Sequence, residues 1–142
     1  MGDDPAFSVT LSFVKTAEKK ALTALYKDAG WWDETCENHP DFLEHVVENS
    51  ALFVAAFCEK KMIGMGRALS DLASDAYIQD VAVLQEYRGR GIGKKIIKKL
   101  ITGLKDHGVD WIGLIGEPDT RRFYENLGFQ ELSGHIPYRL KD

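Results

Sequence analysis

Residues Tyr77–Leu104 read YIQDVAVLQEYRGRGIGKKIIKKLITGL, and the periodicity changes half-way along. Tyr77, Ile78, Val81, Val83 and Leu84 are aromatic, β-branched or aliphatic residues that suit a buried pleated surface, so the stretch opens as a strand. Ile92, Ile96, Ile97, Leu100, Ile101 and Leu104 then recur at three- and four-residue steps, the apolar stripe of a helix. Arg88-Gly89-Arg90-Gly91-Ile92-Gly93 joins the two. A glycine-rich turn at a helix start leaves several backbone N–H groups without helical partners, aimed along the positive end of the helix dipole. Such a turn binds anions, and phosphate suits it well. Arg88, Arg90, Lys94 and Lys95 reinforce the positive charge. The predicted ligand is a pyrophosphate.

Two familiar phosphate cradles fail on spacing. The pattern G-x-x-x-x-G-K-[ST] needs glycine where Arg88 stands and a hydroxyl where Lys95 stands. The dinucleotide pattern G-x-G-x-x-G, begun at Gly89 or Gly91, needs glycine at Lys94 or Ile96. What remains is [R/Q]-x-x-G-x-[G/A], met by Arg88, Gly91 and Gly93. With the preceding Val81-Ala82-Val83 strand, this resembles the central motif of the GNAT superfamily, the acyl-CoA-dependent N-acyltransferases. Downstream, Arg122-Phe123-Tyr124-Glu125-Asn126-Leu127-Gly128-Phe129 is similar to that family's helix ending in FYEKLGF. The two motifs stand in the family's order with a predicted strand between them, and the resemblance runs from Leu52 to Leu140.

At 142 residues the chain fits one domain with room for a core, and 44% hydrophobic with 28% charged residues is ordinary globular composition. No apolar run approaches the ~20 residues of a membrane helix, so no membrane partner is expected. The N-terminal MGDDPAFS is acidic and lacks the apolar segment of a secretory signal, and Ala6 stands where a Gly2 lipidation pattern wants Ser or Thr. Cys36 and Cys58 are too few for a disulfide scaffold, and no spacing suggests a metal site. A reducing, cytoplasmic setting is expected. Charge is uneven. Gln85–Lys99 carries six cations against Glu86, a local +5; since the whole chain is −4, the remainder carries −9. One basic patch on an acidic body suits a small polyanionic ligand and a cationic acceptor, and argues against nucleic acid.

Along the chain, Phe7–Val14 alternates as a first strand. Thr16 is placed to cap a helix over Ala17–Ala29 that Gly30 stops. The link Trp31–His39 leads to a short helix, Asp41–Asn49, with Pro40 at its first turn. Leu52–Cys58 and Met62–Leu69, joined by Glu59-Lys60-Lys61, read as a hairpin. Asp71–Asp75 is a polar connection. After the long helix, closed at Gly108, Val109–Ile115 reads as a buried strand. A strand–helix–strand order implies a right-handed crossover, so this strand is a parallel neighbour of the one before the cradle. Pro118 and Asp119 open a helix through Asn126 that Gly128 closes. Phe129–Leu132 and Pro137–Leu140 read as short closing strands. The expected fold is one mixed α/β domain, residues 1–142, with about seven strands and four helices.

The resemblance implies more. In GNAT proteins the strand before the cradle and its parallel neighbour splay apart, and the pantetheine arm of the cofactor lies in the gap. Carried over, Val81, Ala82 and Val83 form the pantetheine edge. Arg88, Gly89, Arg90, Gly91, Ile92, Gly93 and Lys94 form the pyrophosphate loop, with acetyl-CoA as donor. The implied function is direct acetyl transfer to a primary amine, a small molecule first. A protein Lys or N-terminal amine, and an acyl-CoA sensor without turnover, are the alternatives. Acyl length and a homodimer are left open.

Transfer from a thioester to an amine needs a neutral amine, oxyanion stabilisation and protonation of the leaving thiolate. Main-chain N–H groups at Val81–Val83 suit the second. Tyr124 falls where the family places a tyrosine near the sulfur. A phenol with a pKa of about 10 protonates a thiolate of pKa about 8.5 only uphill, so coupled transfer is required. The base is open. By alternation Tyr77, Gln79 and Val81 share one face of their strand, and Ile78 and Asp80 the other. Glu117 stands where many relatives carry Asn, and also suits a helix start. Trp31 and Trp32, beside Asp33, Glu34 and Glu37, offer faces for a cationic amine, with at least one Trp expected to turn inward. His39, His45, His107 and His135 share no spacing and read as surface or helix-end residues.

Overall fold

The structure, a computed structural model, describes residues 8–142; Phe7, the first residue of the predicted opening strand, lies outside them. In chain order the elements are β1 (Val9–Phe13), α1 (Lys19–Asp28), α2 (Glu34–Asn38), α3 (Phe42–Asn49), β2 (Leu52–Cys58), β3 (Lys61–Ser70), β4 (Asp75–Val83), a single 3₁₀ turn (Gln85–Tyr87), α4 (Ile92–Asp106), β5 (Trp111–Gly113) and α5 (Arg121–Asn126). The five strands form one sheet in sequence order, β1-β2-β3-β4-β5. All neighbours are antiparallel except β4 and β5, which are parallel as the crossover through α4 requires.

The sheet is covered on both faces. On one, Ile92, Ile96, Ile97, Leu100 and Leu104 of α4 pack on Val54, Ala56, Ile63 and Ile78. Each such side chain contributes about 1.5–3 kcal/mol when fully buried. Strand β3 carries Gly64 and Gly66 under this helix for a steric reason. A methyl at Gly66 would stand 2.6 Å from Ile96 Cγ2, so only glycine lets α4 approach the sheet this closely. On the other face, Leu22, Leu25 and Tyr26 of α1 and Leu43 and Val47 of α3 pack on Phe53, Ala55, Met62, Met65 and Ala82.

Four expectations are corrected. The described residues hold five strands and five helices, where about seven and four were predicted. Phe129–Leu132 and Pro137–Leu140 form no ladder, and Leu132, Ile136, Tyr138 and Leu140 are all exposed. Their alternation records strand propensity, but a strand exists only where a neighbour supplies hydrogen bonds. Residues 31–39 are more than a link: the Asp33 carboxylate accepts the Cys36 N–H at 2.9 Å and starts α2. Thr16 does not cap α1, which begins after Glu18 with no side-chain cap.

Candidate functional site

The parallel pairing of β4 with β5 stops at Tyr77 and Gly113, but β4 runs on to Val83. Beyond Tyr77, the β5 side of β4 is therefore open. Which residues face the opening follows from one hydrogen bond. The Leu84 N–H donates to Ile63 O at 2.9 Å, on the β3 side. Main-chain groups alternate in direction along a strand, so Ala82 faces β3 as well, and Val81 and Val83 face the open side. The Arg88 Nε donates to Val83 O at 2.8 Å from that side. The Val81 N–H and C=O and the Val83 N–H line the opening.

The turn after β4 is built on two left-handed glycines, Gly89 at φ +78 and Gly91 at φ +79. An L-residue with a Cβ costs about 1–2 kcal/mol in that region. Gly91 is the N-cap of α4 and supplies no side-chain acceptor. The first bond of the helix turn runs from the Lys95 N–H to Gly91 O at 3.1 Å, so the amides of Ile92, Gly93 and Lys94 precede the helical ladder. The Ile92 side chain is buried in the core, which leaves only its amide for a ligand. A methyl at Gly93 would lie 3.7 Å from Phe123 and 4.0 Å from Val83. The cradle, the open edge and α5 thus meet at one point.

Tyr124 follows Phe123 on α5. It is half-buried, with its ring edge-on to Phe123 (5.0 Å) and Phe129 (5.9 Å), and its hydroxyl has no hydrogen-bond partner among the described residues. Burial first, and the Glu117 carboxylate second, push the phenol above its ordinary value of 10. A group so placed stays protonated at neutral pH and is available as a donor.

A family model described as the acetyltransferase (GNAT) family matches residues 14–129. The chain belongs to the GNAT family. Among relatives of this GNAT domain, a chloroplastic GCN5-related N-acetyltransferase of Arabidopsis thaliana is 46% identical over 72 residues, which is 51% of the chain and 28% of that protein. An uncharacterized N-acetyltransferase, ycf52, of Porphyra purpurea is 31% identical over 121 residues, covering 85% of the chain and 70% of the relative. The fold matches a probable acetyltransferase from Staphylococcus aureus with a TM-score of 0.80 at 23% identity, over 95% and 100% of the two chains. No helix among the described residues is long and apolar enough to cross a membrane.

Within this GNAT domain, several side chains sit differently from the sequence reading. Asp80 does not share a face with Ile78. Met65 pairs with Ala82 and Arg67 with Gln79, so Asp80 and Val81 together oppose Gly66 in a β-bulge, with Asp80 at φ +53. The extra residue inverts the alternation: Ile78 packs in the α4 core, as do Val81 and Val83, while Ala82 joins the α1 side. The Asp80 carboxylate accepts from Tyr26 Oη and from Arg67 Nε, both at 2.8 Å. Burial and Asp80 together push the Tyr26 phenol well above its ordinary value.

Arg88 is also engaged. Beyond Val83, it pairs with Asp28 at 2.8 Å, and the same carboxylate accepts the Gln85 N–H at 3.1 Å. The arginine of the motif ties the end of α1 to the end of β4, which holds the cradle's entry in place. Trp31 and Trp32 both pack partly against the α1 side, Trp31 on Tyr26 and Trp32 on Phe42. Tyr26, Arg67 and Asp28 were missed. A charge inside the apolar run MIGMGRALS, facing an acid on the next strand, was the available signal for Arg67. For Asp28 there was none, since it lies 60 residues from Arg88.

Proposed function

We propose that the protein transfers an acetyl group from acetyl-CoA directly to a primary amine. The observation that carries this reading is the open β4 edge running into a left-handed glycine turn at a helix start. One ligand with both a diphosphate and an amide-bearing arm matches that pair of features. The amides of Ile92, Gly93 and Lys94 would receive the diphosphate, with Gly89 and Gly91 shaping the turn and Arg90 and Lys94 adding charge. Val81 and Val83 would pair with the arm, and a main-chain N–H there would stabilise the oxyanion. As the amine nitrogen bonds to the carbonyl carbon, the C–S bond breaks and the thiolate takes the Tyr124 proton. The proton lost by the amine passes to water, since Asp80 is held by Tyr26 and Arg67, and a proton returned from water restores the Tyr124 phenol.

A small amine is favoured over a protein side chain by one feature. The rings of Tyr77 and Trp111 lie 5.3 Å apart and are 48% and 38% exposed, in the stretch where β4 and β5 are still paired, next to the start of the opening. Aromatic faces attract cations and cover apolar amines. Relatives point both ways by name: a histone acetyltransferase of Glycine max is 44% identical over 72 residues, and a serotonin N-acetyltransferase of Oryza sativa is 34% identical over 67. Both cysteines are free thiols, in keeping with a reducing compartment, cytoplasm or plastid. The test is thiol release from acetyl-CoA across arylalkylamines, polyamines, aminosugars and Lys peptides. Turnover with a small amine supports the proposal. Turnover with peptides alone overturns the acceptor, and silence with CoA still bound overturns catalysis.

A further inference from the structure

We infer that Asp80 is a positioning residue, held by Tyr26 and Arg67, that maintains the β4 bulge and so aims the Val81 and Val83 amides at the acyl donor. The inference rests on the transfer reading above and concerns how its strand edge is made. Upstream of Asp80, β3 and β4 pair as Arg67 with Gln79 and Leu69 with Tyr77; downstream they pair as Met65 with Ala82 and Gly64 with Val83. Had the upstream register continued, Gly64 would face Ala82. Val81 and Val83 would then point their main-chain groups at β3, and Asp80 and Ala82 would face the opening. The single extra residue decides which amides the opening presents, those of Val81 and Val83 in place of those of Asp80 and Ala82.

The bulge opposes a backbone preference. Asp80 is held at φ +53, a region L-residues rarely adopt, so something must compensate. Its carboxylate is the compensation. It accepts one hydrogen bond from α1, through Tyr26 Oη, and one from β3, through Arg67 Nε, each 2.8 Å long. The Arg67 and Asp80 side chains are only 16% and 25% exposed, so this pair is far less screened than the surface ion pairs. In the unbulged register Asp80 would face the α4 core instead, an unpaired charge among isoleucines and leucines. The network therefore favours the bulged strand and disfavours the alternative. Among the described residues, neither Tyr26 Oη nor Arg67 Nε has another hydrogen bond.

The experiment compares Asp80→Ala, Asp80→Asn and Tyr26→Phe with the wild type by acetyl-CoA titration followed through backbone amide NMR, together with steady-state turnover. In the wild type, acetyl-CoA shifts the amides of Val81 and Val83 and those of Gly91 and Gly93; if none moves, the transfer reading itself fails. In Asp80→Ala the loop amides still respond, the edge amides do not, and kcat falls at least about tenfold, since misplacement of a reacting group by about 1 Å can cost 10²-fold. Asp80→Asn keeps an acceptor and tolerates positive φ, so both responses and kcat return to within about threefold of wild type. An Asp80→Asn variant as impaired as Asp80→Ala would make the carboxylate a base rather than a positioner and overturn the inference. Should Asp80→Ala fail to fold, Tyr26→Phe removes one hydroxyl and must reduce both the edge response and kcat. If Tyr26→Phe lowers Tm but leaves both unchanged, the network is only structural and the inference is wrong.

Discussion

Gly91→Asp isolates the electrostatics of the proposed cradle. Gly91 has φ +79 and open space where a Cβ would go, so a new side chain meets no neighbour within 4 Å. The backbone cost is at most about 1–2 kcal/mol and is smaller for Asp and Asn, which visit the left-handed region more readily than other L-residues. Gly91→Asn carries that same backbone cost without charge, so the difference between the two variants reads the charge alone. A carboxylate about 6 Å from one diphosphate charge is repelled by about 0.7 kcal/mol in water and about 2.8 kcal/mol at an effective dielectric of 20. The expected loss of CoA affinity for Asp relative to Asn is therefore roughly 3- to 100-fold. Isothermal titration at low and high salt measures it, and screening should shrink the gap. Equal affinities for the two variants at low salt would show that no phosphate sits beside this turn.

Other outcomes follow from single contacts. Gly66→Ala places a methyl 2.6 Å from Ile96 Cγ2, and this overpacking should cost about 1–3 kcal/mol in denaturant unfolding, with Ile96→Ala partly restoring stability; an unchanged midpoint would refute the close approach of α4. Tyr124→Phe should lower kcat by about 10²–10⁴ while CoA affinity holds, and unchanged kcat would remove Tyr124 from the chemistry. The Tyr26 phenol is raised above 10 in the folded state, so the unfolded chain loses this proton first. Its contribution to stability is whole below pH 10 and declines as pH rises above it. Tyr26→Phe should flatten that alkaline decline in urea midpoints measured on either side of pH 10, and a decline as steep as the wild type's would contradict the upward shift that burial and Asp80 give this phenol.

The parts of the fold legible beforehand were those set by local chemistry. Gly30, Gly91 and Gly128 all adopt positive φ where a helix start or stop was expected, and the β2–β3 hairpin turns at Glu59-Lys60 as its polar residues suggest. Where distant partners decide, local pattern failed. Phe129–Leu132 and Pro137–Leu140 have strand-like alternation without strand neighbours, and the predicted Val109–Ile115 strand shrinks to Trp111–Gly113 because β4 departs from it. At the site, the glycine turn and the two motifs could be read directly. The face of Asp80 could not, because a period of two gives no warning of a bulge, and the engagement of Arg88 by Asp28 depends on residues brought together only by folding.

The most direct measurement is a crystal structure of the protein with coenzyme A. Diphosphate oxygens should lie about 2.7–3.2 Å from the amides of residues 92–94, with the pantetheine arm paired to Val81 and Val83 along the opening between β4 and β5. Coenzyme A bound anywhere else, with that opening empty, would contradict the proposed site and the chemistry derived from it.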